Sequence, residues 1–162
     1  MDFFIGNYSQ EYQNELNKLA ITAFSEYKER YEDWTGFQKR ISNMAKFAEK
    51  SEIIIAIEKQ VLVGAVVYVA SGLPKSEFFP ADWAILRMLV VKPEERGRGI
   101  GKELSIEGIN RAKRDNAPFI GLHTSSIMES AIHLYSQLGF NKVKDVPDIH
   151  GVPYAIYAKR LD

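Results

Sequence analysis

Across 162 residues, 21 Lys and Arg are balanced by 21 Asp and Glu, and hydrophobic residues make up 46% of the chain. That suits a single domain with a substantial core, residues 1–162. Zero formal charge without a basic block argues against nucleic acid and anionic membrane as partners, and the lack of Cys excludes disulfides, thiolate metal sites and a Cys nucleophile. Met1-Asp2-Phe3-Phe4-Ile5-Gly6 has neither the basic nor the long apolar region of a signal peptide. The apolar run Val61 to Ala70 is far short of the ~20 residues that span a bilayer. A cytoplasmic protein is expected.

Asp2 to Asn7 reads as a short strand. Gln10 to Arg30 places Tyr12, Leu16, Leu19, Ala20, Ala23, Phe24 and Tyr27 at helical spacing, with Ser9 as the expected N-cap. A shorter helix is expected over Thr35 to Phe47. Glu52 to Ile57 and Val61 to Ala70 read as a hairpin turning at Glu58-Lys59-Gln60. Gly72 to Asp82, with Pro74 and Pro80, reads as a loop. An apolar strand, Ala84 to Val91, then runs into a glycine-dense turn and a helix from Gly99 to Arg114. A strand at Phe119 to His123, a helix at Ser126 to Leu138, and strands near Phe140 to Val146 and Tyr154 to Arg160 complete the chain.

The turn Arg96-Gly97-Arg98-Gly99-Ile100-Gly101-Lys102 is the richest stretch. A helix start exposes N–H groups without internal partners and carries an effective charge of roughly +0.5. With Arg96, Arg98 and Lys102 interleaved, it reads as a phosphate or pyrophosphate site. A Walker-type loop ending at Gly101-Lys102 would need Gly at 96 and Ser or Thr at 103, where Arg96 and Glu103 stand. A dinucleotide fingerprint would need its third Gly at 102, or Gly or Ala at 104, where Lys102 and Leu104 stand. Neither pattern fits.

Arg96-Gly97-Arg98-Gly99-Ile100-Gly101, after a strand ending at Leu89, Val91 and Pro93, strongly resembles the acetyl-CoA-binding motif of the GNAT superfamily of N-acetyltransferases. Ala131-Ile132-His133-Leu134-Tyr135-Ser136-Gln137-Leu138-Gly139-Phe140 resembles that family's second cofactor motif, in the family's order. The resemblance implies an α/β GNAT fold, with a mixed central sheet of six to seven strands flanked by about four helices. It also implies acetyl-CoA as cosubstrate, no metal, and direct acetyl transfer to a primary amine of a small molecule or peptide. By resemblance, Leu89, Val90 and Val91 accept the pantetheine arm, and a backbone N–H at about Leu89 or Val90 acts as an oxyanion donor. Arg96, Gly97, Arg98, Gly99, Ile100, Gly101 and Lys102 grip the pyrophosphate, and Tyr135 is the general acid for the departing thiolate. Family members often carry Asn where Met128 stands; Ser125, Ser126 or Ser130 is a substitute contact. A catalytically silent acyl-CoA-binding regulatory module and a phosphotransferase are the competing readings. A homodimer is left open.

The acceptor side is less legible. An amine with a pKa of about 10.4 must lose a proton before attack, and Glu77, Asp82, His123 and His150 are the candidate bases. His133, two residues after Ala131, is expected to face solvent. The scattered His residues lack carboxylates at ligand spacing, so no metal site is expected. In the family, the regions holding Tyr27, Tyr31, Trp34 and Phe37, and Phe78, Phe79 and Trp83, face the acceptor. They suggest an aromatic-walled amine pocket, with Glu29, Glu32 and Asp33 as candidate helpers.

Overall fold

The computed structural model describes residues 2–162; Met1 lies outside them. Seven strands form one sheet: β1 (Phe4–Asn7), β2 (Glu52–Glu58), β3 (Val61–Val69), β4 (Ala84–Val91), β5 (Phe119–Thr124), β6 (Asn141–Ile149) and β7 (Val152–Arg160). Four α-helices flank it: α1 (Gln13–Phe24), α2 (Trp34–Ile41), α3 (Ile100–Arg114) and α4 (Glu129–Gln137). The strand order is β1-β2-β3-β4-β5-β7-β6. Every pairing is antiparallel except β4 with β5. The mixed sheet and helix count agree with the expected fold class.

Both faces of the centre are covered, which is why β2 and β3 read as continuous apolar runs rather than alternating ones. Ile54, Val66, Tyr68 and Leu86 pack with Leu104 and Ile109 of α3, while Ile53, Ile55, Val67 and Ile85 pack with Leu16, Leu19 and Ala20 of α1. A third cluster joins Phe37 and Ile41 of α2 to Met128, Val152 and Tyr154. Arg111 ties α3 to the far edge through Glu52 and Asn7, at 2.9 and 2.6 Å. Among the described residues, no helix is long and apolar enough to cross a membrane.

The first helix stops earlier than its apolar spacing suggests. The Ala23 carbonyl, which a continuing helix would offer to Tyr27, accepts from Arg96 Nη2 at 3.1 Å. Ser25–Arg30 tightens into 3-10 turns. The start also differs, because Ser9 Oγ bonds Glu11 and makes no cap, and a 3-10 turn precedes α1. The second helix ends at Ile41 because the Ala45 N–H goes to Asn17 Oδ1 at 2.9 Å. The hairpin of β2 and β3 turns on two residues, Lys59 and Gln60, both at positive φ. β6 runs on to Ile149 and turns tightly at His150-Gly151, where a connecting segment was expected from Pro147. Pro147 is accommodated because β6 is an edge strand whose register shifts between Val146 and Ile149.

Candidate active site

β4 and β5 pair only at Ala84–Ile120 and Ile85–Gly121, and the sheet then splits. Beyond the split, β5 stays bonded to β7 through Thr124, and β4 stays bonded to β3. Opposite Val66, β4 carries one residue too many: Val90 pairs with Ala65 and Arg87 with Val67, leaving Met88 and Leu89 in between. Met88 sits at φ 52, a left-handed conformation uncommon for a side chain of this size. The bulge turns two consecutive side chains, Arg87 and Met88, toward the α1 and α2 face. Arg87 lies 4.7 Å from the centre of the Phe47 ring, and Met88 packs with Phe47's cluster.

The Lys92 N–H bonds the Val63 carbonyl at 2.8 Å. Antiparallel alternation therefore directs Val90 to β3 and turns the Val91 N–H to the split edge, where β5 no longer answers it, while Leu89 in the bulge has no partner residue on β3. An unpaired strand edge in a cleft can receive an extended ligand with amide groups.

A cleft of about 490 Å³ runs from this edge to the start of α3. Leu89, Val91, Arg96, Gly97, Gly99, Ile100, Gly101, Lys102 and Ser130 line it, facing Phe24 and Tyr27 across the gap. Gly99 precedes α3 at φ 84 with no side-chain cap, and the first helical bond is Glu103 N–H to the Gly99 carbonyl at 3.0 Å. The N–H groups of Ile100, Gly101 and Lys102 thus lack intrahelical partners. Gly97 and Gly99 both have positive φ, at 82 and 84. This conformation costs other residues roughly 1–2 kcal/mol. Lys102 adds an exposed cation at this wall. Arg96 reaches across to Glu26 and the Ala23 carbonyl. Arg98 turns away, paired with Glu58 and Glu95, and does not line the cleft. Val90 is 1% exposed, so only its backbone is near the edge.

An inner cavity of about 120 Å³ continues past Phe24, Leu89, Met128 and Ala131, which line both spaces. Tyr135 is on its wall, 5% exposed and packed on Phe140 with ring centres 5.6 Å apart. Burial raises its phenol above the ordinary value. Among the described residues, no fully buried side-chain oxygen lacks a partner, and none is bonded to the Tyr135 hydroxyl. That hydroxyl is therefore open to the cavity.

Of the four candidate bases, His123 alone lines this cavity. Burial, with Arg87 and Arg40 nearby, depresses its pKa to about 4, so the imidazole is neutral at pH 7. It leans on Tyr154, whose hydroxyl lies 2.6 Å from that of Tyr31. His150 instead pairs with Asp33 at 3.2 Å and, through the bond from Glu32 N–H to its carbonyl, fixes the approach to α2. Glu77 and Asp82 are exposed on the loop before β4 and reach neither space.

The aromatics divide likewise. Phe37 lines the inner cavity and Tyr27 the outer cleft. Tyr31 and Trp34 stack around Phe37. Phe79 and Trp83 pack over Gly121, with Trp83 on Phe119, and anchor their loop to β5. Glu29, Glu32 and Asp33 line neither space, and His133 is exposed. Sequence reasoning missed Arg40, Arg87 and the Met88 bulge. One signal was present, a lone charge inside the apolar run Ala84-Ile85-Leu86-Arg87-Met88-Leu89. Among the described residues, no group of three or more His, Cys, Asp or Glu could hold a metal ion.

Comparison with solved structures gives the same architecture at low identity. PaiA N-acetyltransferase from Thermoplasma acidophilum, solved in complex with coenzyme A, has a TM-score of 0.77 at 20% identity, over 99% of this chain and 100% of that one. Ard1 from Thermoplasma volcanium has a TM-score of 0.78 at 14% identity, over 99% of each chain. YncA from Salmonella typhimurium, solved with its cofactor acetyl-CoA, has a TM-score of 0.72 at 16% identity, over 100% of this chain and 95% of that one. Comparison with curated sequences gave no match. A sequence model of the acetyltransferase (GNAT) family matches residues 13–140. With that match over most of its length, the split sheet and the capless start of α3 belong to a member of the acetyltransferase (GNAT) family, an acyl-CoA N-acyltransferase.

Proposed function

We propose that the whole chain acts as one catalytic domain moving the acetyl group of acetyl-CoA directly to a primary amine of a small molecule or peptide. The observation that carries this reading is the meeting of the two spaces at Leu89, with Tyr135 on the inner wall. In the reaction a C–N bond forms, the thioester C–S bond breaks, the amine loses a proton and the thiolate gains one.

The free N–H groups of Ile100, Gly101 and Lys102, with the Lys102 ammonium, suit the pyrophosphate. The amide edges of Val91 and Leu89 suit the pantetheine arm, and the Leu89 N–H is the donor to the developing oxyanion. Tyr135 donates its proton to the sulfur. Burial that raises the phenol also raises a thiol, ordinarily near about 8.5, so the two acids shift in the same direction and the desolvated thiolate remains a strong pull on the proton. On the acceptor side, apolar walls and two arginines disfavour an ammonium and favour the neutral amine. The neutral His123 accepts the proton and, with a pKa of about 4, relays it to solvent. The test is to mix the protein with acetyl-CoA and a broad panel of primary amines and follow free CoA through its thiol. Amine-dependent release supports the reading. Stoichiometric CoA binding with no acetylated product from any amine refutes it.

A further inference from the structure

The inner cavity carries an unbalanced charge. Arg40 at the end of α2 and Arg87 at the bulge both line it, and no Asp or Glu does. Arg96, Arg98, Arg111 and Arg114 each hold a carboxylate; among the described residues, Arg40 and Arg87 hold none. Arg87 is half-buried, and its guanidinium rests on Phe47. Burial first, and Arg40 second, push its pKa down, so the two like charges oppose each other. Among the described residues no fully buried side-chain nitrogen lacks a partner, so the unused donors of Arg87, which lines the cavity, are not sealed in the core.

An anion is missing from this arrangement, and the cofactor does not supply it. Its phosphates suit the start of α3 at the far end of the outer cleft, and the pantetheine and thioester nearest Leu89 are uncharged. The anion must then arrive with the acceptor. We infer that the acceptor is an amino acid or a similarly compact amine whose carboxylate is bound by Arg40 and Arg87 while its amine faces Leu89. This rests on the proposed transfer and specifies its substrate class. A carboxylate matches the planar donor fork of arginine, whereas a polyamine would add a cation to two already present. A cavity of about 120 Å³ admits a compact molecule between Phe24, Phe37 and Tyr154.

The test pairs α-, β- and γ-amino acids with their own carboxamides, and adds putrescine. Acetyl-CoA-dependent thiol release is measured for each. Binding to CoA-loaded protein is measured by calorimetry in parallel. The best amino acid should exceed its carboxamide in kcat/KM by about 10- to 100-fold, the worth of a charge-assisted pair. Arg40→Gln and Arg87→Gln should each shrink that ratio, and Arg87→Lys should keep part of it. Arg40 is exposed, so its substitution remains decisive even where Arg87→Gln fails to fold. A carboxamide or putrescine used as well as the best amino acid, or a ratio untouched by Arg40→Gln, overturns the inference while leaving acetyl transfer standing. If no amine releases CoA, the transfer reading fails. Calorimetry then decides the inference: amino-acid binding lost in Arg40→Gln upholds it, and no such binding overturns it.

Discussion

At the start of α3, the arginines are already satisfied: Arg96 by Glu26 and a carbonyl, Arg98 by Glu58 and Glu95. In the inner cavity, Arg40 and Arg87 face no carboxylate. The outer end therefore offers mainly backbone N–H groups, set by glycine conformations and a helix start. The inner end offers side-chain charge. A backbone site suits a ligand that is the same for every relative of a fold, while a side-chain site is where one chain's specificity can reside.

The strongest way to break this division is at the junction itself. Tyr135→Phe removes the hydroxyl proposed to protonate the thiolate. It should lower kcat by about 10²- to 10⁴-fold while the Kd for CoA stays within about threefold. Retained turnover would remove Tyr135 from the chemistry. Next in size is the loss of carboxylate preference in Arg40→Gln and Arg87→Gln, which isolates the inner end. Gly99→Ala then probes the outer end. Its φ of 84 makes any side chain strained, although nothing lies within 4 Å of the added carbon. The free turn should relax out of a conformation strained by about 1–2 kcal/mol, and restoring it for the cofactor weakens CoA binding roughly tenfold by calorimetry. Equal affinity would mean that the turn does not hold the cofactor.

Arg98→Gln sharpens the contrast in the other direction. The side chain lies outside the cleft in exposed ion pairs, which contribute little, so CoA affinity should fall by less than about threefold. A tenfold loss would put Arg98 back among the phosphate contacts. The smallest effect is on stability. The His123 pKa of about 4 lies below the unfolded value of about 6.5, so the unfolded chain binds more protons between them. Stability is complete above about pH 6.5 and falls as pH drops toward 4. The Tm of His123→Asn should decline less over that interval; an equal decline would contradict the depressed pKa.

Much of this was legible in local patterns. The strand before Arg96, the glycines at 97, 99 and 101, and Tyr135 before Gly139-Phe140 are contiguous in sequence, and their chemistry depends on neighbours in the chain. The sheet followed from apolar runs bounded by turns. The failures were those of distant partners. The first helix ends at Phe24 because a guanidinium from residue 96 takes the Ala23 carbonyl, and the second ends because Asn17 takes the Ala45 N–H. The turn's own sequence gives no sign that the Arg98 side chain pairs with Glu58, forty residues away. The cavity formed by Arg40, Arg87 and His123 draws on α2, β4 and β5, and no linear spacing reports such a meeting. The bulge at Met88 leaves no mark in an apolar strand, since it depends on the register with β3.

The central claim is that the acetyl group passes to nitrogen directly, across Leu89 and Tyr135. A single-turnover experiment with acetyl-labelled CoA and an acetylated amino acid's parent amine tests it most directly, with label followed on amine, cofactor and protein. The account predicts that label moves from cofactor to amine without labelled protein at any time, and that the step slows in Tyr135→Phe. Label retained on the cofactor in the presence of every amine, or accumulating on the protein before the amine, would contradict it.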